Sequence, residues 1–243
     1  MKPSALKLIA LAAVALSTSA AWASPIDLTF AGVAPYPSGN NVLIENYYNG
    51  GTSSAGTSGP NYGIYFSDNA LDICLNSTTV FCSNTSKGGL GDPNSQQNGL
   101  FWLSNADAFL DDPAGFTTGF SFTYSAFTTP GSISVWSGLD GTGTELADLA
   151  LPATGGGCPA YEADFCPFTA LGVGFLGTAE SIDFSGTANQ IVFDDVTFGS
   201  TTPGTGVTPE PSSFLLLGTG LLGAVEAIRR KVSLRRSTKV TLA

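Results

Sequence analysis

The central part of this chain consists of short segments in which apolar and polar residues alternate. In residues 119–124, Phe120, Phe122 and Tyr124 share one face, and Gly, Ser and Thr occupy the positions between them. Successive side chains of a β-strand point to opposite faces of its sheet, so this period of two predicts a half-buried antiparallel strand.

Segments of this kind are bounded by clusters of Gly, Ser, Thr or Asn, which are turn-forming residues. They lie at 26–33, 61–66, 99–103, 115–127, 132–138, 145–152, 171–177, 180–186 and 190–199. No segment of the central region has a sustained helical period. The sequence therefore predicts an all-β domain of two packed antiparallel sheets, a jelly-roll-like β-sandwich. Residues 48–63 are predicted to form a long polar loop.

The two ends of the chain differ from this centre. Residues 1–23 start with Lys2 and Lys7, continue with a short apolar run and end in Ala21-Trp22-Ala23, which is the pattern of a cleaved secretory signal peptide. A retained N-terminal anchor is the alternative, but the apolar run is too short to span a bilayer. Residues 24–198 then form the predicted β-sandwich ectodomain, and residues 199–208 are predicted to form a flexible linker.

A second apolar stretch runs from Pro211 to Ile228, 18 residues that would extend about 27 Å as a helix, just enough to cross a bilayer. Pro209 and Pro211 prevent the helix from starting earlier. Arg229, Arg230 and Lys231 place the following residues in the cytoplasm by the positive-inside rule. The pattern predicts a single C-terminal transmembrane helix, an external domain and a basic cytoplasmic tail at 232–243.

Residues 209–231 resemble the PEP-CTERM sorting signal: Pro209-Glu210-Pro211 comes first, then the apolar run, then the basic cluster at Arg229, Arg230 and Lys231. The resemblance implies recognition by an exosortase and transfer to the cell surface or the exopolysaccharide matrix. Two departures from the pattern are Glu226 inside the apolar run and the length of the tail. The alternative is a plain C-terminal membrane anchor. The central domain is also similar to the β-sandwich ectodomains of such proteins.

Charge is distributed unevenly along the chain. Eight of the nine Lys and Arg residues lie in the terminal segments, and the central domain has seventeen carboxylates and one cation, Lys87, a net charge of −16. Such a domain repels phosphate backbones, which argues against nucleic acid as a partner, and it attracts divalent cations. The chain has no histidine, which excludes Ser-His-Asp and Cys-His catalysis and histidine metal sites.

The four cysteines fall into two pairs of equal spacing, Cys74 with Cys82 and Cys158 with Cys166. In an exported chain this spacing favours two local disulfides, 74–82 and 158–166, although the other two connectivities remain open.

Two places are candidate binding sites. If 190–199 is one regular strand, the adjacent residues Asp194 and Asp195 point to opposite faces of the sheet. Whichever face is the inner one, one of the two carboxylates then lies among apolar side chains. Hydrogen bonds, an exposed strand end or a bound Ca²⁺ would then be needed to stabilise that carboxylate. Trp136 lies opposite Ile133 and Val135, so its indole is expected on an outer sheet face, where it could stack on a sugar ring or cover the edge of the core. Trp102 is predicted to be a core residue, and Asp140 a turn residue.

The sequence thus predicts an exported, surface-sorted protein without enzymatic activity, with a structural or adhesive role at the cell surface or in the exopolysaccharide matrix. A carbohydrate-binding module that binds polysaccharide is the first alternative. An enzyme that acts on glycosides with two carboxylates is the second.

Overall fold

The computed structural model describes residues 25–37, 41–75, 98–104, 108–126, 128–155, 165 and 167–205. The predicted signal peptide, sorting signal and tail lie outside these ranges. The chain divides into two compact units, Met1–Gly206 and Val207–Ala243. The described residues all belong to the first unit. No helix among them is long and apolar enough to cross a bilayer.

Twelve strands form in the described ranges, and their ladders are antiparallel. They are β1 (Ile26–Leu28), β2 (Val42–Leu43), β3 (Tyr65–Phe66), β4 (Ala70–Cys74), β5 (Asn98–Trp102), β6 (Phe109–Phe116), β7 (Gly119–Ala126), β8 (Gly131–Trp136), β9 (Glu145–Leu151), β10 (Thr169–Gly174), β11 (Ala179–Asp183) and β12 (Ile191–Phe198). The described ranges contain no α-helix, only a 3₁₀ turn at Ser185–Thr187.

The strands make two sheets. A seven-stranded sheet, called the large sheet below, has the order β10-β7-β12-β5-β4-β2, with β1 paired to β12. A five-stranded sheet, called the small sheet, has the order β3-β6-β11-β8-β9. This confirms the all-β prediction, and a sandwich of two antiparallel sheets fits the arrangement.

The core lies between the sheets and is rich in aromatic rings. The ring of Phe193 on β12 packs edge-on against Phe122, with centroids 5.2 Å apart, and against Phe184, 5.0 Å apart. Trp102 stacks on Phe184 at 4.5 Å and is fully buried, which confirms its prediction as a core residue. Such edge-to-face and offset contacts stabilise the core beyond simple burial of area.

The predicted face assignment of 190–199 is wrong, because β12 contains a β-bulge. The register with β7 shifts between Asp194 and Thr197, and Asp195 lies in the left-handed region at φ +48°. The extra residue moves Val196 and Phe198 onto the core face with Phe193. A bulge does this because two residues then oppose one on the partner strand.

The segment at 44–62 is packed rather than loose. Tyr47 and Tyr48 are buried in the core, and two isolated bridges, Asn49 with Asn61 and Thr52 with Ser58, close the segment on itself. A Cβ at Gly59 would overlap the backbone of Tyr47, so the backbones of these two residues are in direct contact.

Residues 199–205, predicted as the start of a flexible linker, lie against the large sheet. The backbone N–H of Gly204 donates to Thr197 Oγ1 at 3.1 Å, and Gly199 N–H donates to the carbonyl of Gly119 at 2.9 Å. A Cβ at Gly172 on β10 would overlap the carbonyl oxygen of Thr201. This part of the linker therefore has defined contacts.

Candidate functional site

The outer face of the small sheet carries a row of side chains that crosses four strands. Tyr65 on β3 pairs with Asp111 on β6, Asp111 with Ser181 on β11, and Ser181 with Trp136 on β8. Directly paired residues of an antiparallel ladder point to the same face, so the row places two aromatic side chains on one surface. We call this row with its surroundings the aromatic face.

Trp136 lies on this face as the sequence predicts. Ile133 and Val135 are buried in the core, and the indole of Trp136 is half-buried on the opposite side. Its Nε1–H donates to Ser134 Oγ at 2.9 Å. The indole edge is thereby fixed by a neighbour on its own strand. Tyr65, which the sequence pattern does not single out, is 42% exposed.

The turn between β8 and β9 folds over the middle of the aromatic face. Ser181 Oγ donates to the carbonyl of Gly138 at 2.6 Å and accepts from the N–H of Gly141 at 3.0 Å. Asp140 N–H donates to Asp111 Oδ1 at 3.0 Å. Asp140 has φ +52° in this turn, which confirms its prediction as a turn residue. These hydrogen bonds hold the turn over Asp111 and Ser181, the two positions of the row that lie between Tyr65 and Trp136.

The aromatic face is acidic. Its paired positions and the turn contribute five carboxylates, those of Asp111, Asp140, Glu145, Asp148 and Asp183. Burial is the main cause that raises the pKa of Asp111. The backbone N–H of Asp140 lowers that pKa by its hydrogen bond, and the carboxylate of Asp140 raises it. The described part of the chain contains no Lys, Arg or His to neutralise these groups.

Asp194 and Asp195 lie elsewhere, on β12 of the large sheet, and both are buried. Asp194 Oδ1 accepts the N–H of Asp195 at 2.8 Å, and Thr197 Oγ1 lies 2.9 Å from the carbonyl oxygen of Asp195 and 3.1 Å from Asp27 Oδ1. In the ranges that the structure describes, no three Cys, Asp or Glu side chains converge on a possible metal site. A Ca²⁺ ion at this pair stays a prediction.

Cys74 is the one cysteine within the described ranges, and it is disulfide-bonded. Cys82, Cys158 and Cys166 lie outside those ranges, so the pairing 74–82 with 158–166 stays a prediction. The sorting residues Pro209, Glu210, Pro211, Arg229, Arg230 and Lys231 also lie outside them.

The described residues define an antiparallel two-sheet domain whose aromatic face is acidic. A family model described as the PEP-CTERM protein-sorting motif matches residues 207–231. The chain therefore carries a PEP-CTERM sorting motif, as the resemblance at 209–231 predicts. The motif indicates an exported protein that is processed by an exosortase and sorted to the cell surface.

Among solved structures, the chain is similar to a cleaved adhesin domain of Lys-gingipain from Porphyromonas gingivalis. The identity is 12%, the TM-score is 0.31, and the alignment covers 72% of this chain and 98% of that one. No curated protein matches the chain.

Proposed function

We propose that this protein is a non-enzymatic structural or adhesive component of the cell surface or the exopolysaccharide matrix. The sorting motif at residues 207–231 is the observation that carries the proposal. The rest of the chain supports it: a β-sandwich with a packed core and fixed turns suits a module that serves as a scaffold. The absence of histidine removes the commonest catalytic base.

The sorting step is tested by fractionation combined with mass spectrometry of the protein termini. We expect a mature C-terminus near Pro209 in the surface or released fraction. The matched control replaces Pro209, Glu210 and Pro211 by Ala, which leaves the apolar run and the basic cluster in place. That variant should keep its C-terminal segment and remain in the membrane. An intact tail on the natural protein in the inner membrane would instead establish a plain anchor.

The structural role is tested separately, on the sorted protein. It should stay in the matrix fraction and release no product from matrix polysaccharide. Product formation that is lost on changing a single Asp or Glu would contradict the proposal and establish an enzyme.

The aromatic face supports carbohydrate binding as the second candidate function. Trp136 presents a half-buried ring whose N–H is already bonded to Ser134 Oγ, so the ring face is what remains for a ligand. Carboxylate oxygens beside it can accept hydrogen bonds from sugar hydroxyls. Rigid aromatic side chains with a few polar neighbours are the usual composition of such sites.

Charge narrows the class of glycan. Because five carboxylates and no cation occupy the described part of this face, a polysaccharide rich in uronic acid or sulfate would be repelled. The fitting ligand is a neutral or amino-sugar polymer.

A glycan array probed with the purified domain tests this candidate. Trp136→Ala should weaken binding of a neutral glycan by about 5- to 150-fold, if the stacked ring contributes as much as an aromatic side chain under a nucleic-acid base, roughly 1–3 kcal/mol. Leu103→Ala is the control, because Leu103 is an exposed apolar residue that follows β5 of the other sheet. Equal binding by both variants, or selection of acidic glycans, would remove the aromatic face as a binding site.

A further inference from the structure

Two polar side chains, Asp72 on β4 and Asn98 on β5, are buried on the inward face of the large sheet. Asp72 is 0% exposed and Asn98 is 1% exposed. Each shares its strand face with core residues, Asp72 with Ala70 and Asn98 with Leu100. The ladder pairs Asp72 with Leu100 and Cys74 with Asn98, so the two polar residues are diagonal neighbours within reach of each other.

Their hydrogen bonds are incomplete. Asn98 Nδ2 donates to Asp72 Oδ2, and the backbone N–H of Ala34 also acts on the Asp72 carboxyl. The second carboxyl oxygen of Asp72, Oδ1, and the amide oxygen of Asn98, Oδ1, are buried and have no hydrogen-bond partner among the described residues. A buried acceptor without a donor costs about 1–3 kcal/mol, so two of them on bonded neighbours call for an explanation.

Within the described ranges, the surroundings of this pair supply no positive charge. The titratable groups that interact electrostatically with Asp72 are Tyr47 and Tyr48 of the segment 44–62. The pKa of each tyrosine is raised, first by burial and second by the negative charge of Asp72. The negative charge of Asp194 also raises the pKa of Tyr48. Cys74, at the end of the same strand, is disulfide-bonded. The described part of the chain has no cation to pair with an ionised Asp72.

We propose that Asp72 carries a proton on Oδ1 in the folded protein and donates it to Asn98 Oδ1. The two side chains then form a reciprocal acid–amide pair, in which the amide N–H donates to one carboxyl oxygen and the carboxyl O–H donates to the amide oxygen. A single proton satisfies both partnerless oxygens and removes the buried charge at once. A metal ion fits less well, because Ca²⁺ requires 6–8 oxygen ligands and two N–H donors already point at this carboxyl.

The pair makes the stability of the fold depend on external pH. Burial raises the pKa of Asp72 well above its usual range, and the bonds from Asn98 and Ala34 only partly oppose this. Because the folded-state pKa exceeds the unfolded value of about 3.9, the contribution of the pair is complete below that value. It is lost as pH rises through the folded-state pKa. The fold therefore weakens as pH rises through the folded-state pKa of Asp72.

The test is Asp72→Asn in the full chain. The amide has the shape of the protonated acid and can donate to Asn98 Oδ1 at every pH. We expect a higher midpoint of thermal unfolding than the natural protein at and above the folded-state pKa of Asp72, and a flatter dependence of that midpoint on pH. Asp112→Asn is the control, because Asp112 is also buried but accepts a hydrogen bond from the N–H of Ala114. This change should leave unchanged the part of the pH dependence that Asp72 causes.

A second measurement does not depend on any variant. The carboxyl ¹³C resonance of Asp72 in the natural protein should show the protonated form well above the ordinary pKa range of Asp. An ionised Asp72 at mildly acidic pH would overturn the proposal. So would a stabilisation by Ca²⁺ that Asp72→Asn abolishes, since a metal ion would then take the place of the proton.

Discussion

A single tyrosine secures an unfavourable backbone conformation near the start of the domain. Phe30 follows β1 with φ +56°, in the left-handed region that costs a residue with a side chain about 1–2 kcal/mol. Its ring lies in the core, 5.8 Å from the ring of Tyr48. Its buried N–H donates to Tyr48 Oη at 3.0 Å. The hydroxyl thus supplies an acceptor that no regular ladder provides at this position.

Tyr48→Phe should therefore destabilise the domain by about 1–3 kcal/mol, because the N–H of Phe30 would lose its acceptor without access to water. Chemical denaturation measures the change in the free energy of unfolding. Tyr124→Phe is the matched control: its hydroxyl donates to the carbonyl of Pro152 in a part-buried position, where water can replace it. A loss for Tyr48→Phe no larger than that of the control would mean that the bond contributes little.

At the scale of the strand, the sequence predicts nine of the twelve strands and misses β2, β4 and β6, of which the last two contain carboxylates. β7 and β8 lie where the period of two places them. The sequence pattern does not predict β4, because Asp72 occupies an inward position in Ala70–Cys74. β6 contains Asp-Asp-Pro, and its pairing with β11 shifts register there.

The candidate sites also contain some features that the sequence predicts and others that it does not. Trp136 could be assigned to an outer face from its own strand, because alternation is a local property. Tyr65 could not be joined to it, because strand order depends on contacts between distant segments. The bulge at Asp195 needs one residue in the left-handed region, which Asp tolerates better than most residues, and the pattern 190–199 contains no other sign of it.

The segment 199–205 offers a test at the scale of the element. Gly172 and Gly174 lie two residues apart on β10, and both approach Thr201. A Cβ at Gly172 would overlap the backbone of Thr201, whereas a Cβ at Gly174 would lie 3.4 Å from its nearest neighbour. Gly172→Ala should then destabilise the domain by about 1–3 kcal/mol through overpacking. It should also expose residues 199–205 to limited proteolysis.

Gly174→Ala serves as the control and should change stability little, since an ordinary contact distance is available. The two variants could instead have the same stability, with residues 199–205 cleaved as fast in the natural protein as in Gly172→Ala. The contacts of this segment would then not hold it on the sheet. The flexible-linker prediction would then extend to all of 199–208.

For the whole domain, the dominant electrostatic fact is the excess of carboxylates. Seventeen of them and a single cation occupy the predicted central domain, and the described part has no cation at all. Self-repulsion of this size keeps a protein soluble and opposes the compact state. Added salt shortens the Debye length to about 8 Å at 0.15 M, so it weakens repulsion between exposed carboxylates.

We expect the midpoint of thermal unfolding to rise with NaCl and to rise equally with CaCl₂ at matched ionic strength, with no effect of EDTA. Screening alone predicts equality, because it depends on ionic strength and not on the chemistry of the ion. Asp194 and Asp195 already have partners within the protein. A further rise with CaCl₂ that EDTA reverses and that Asp194→Asn removes would contradict this expectation, and would place at the bulge of β12 the calcium ion that the sequence suggests.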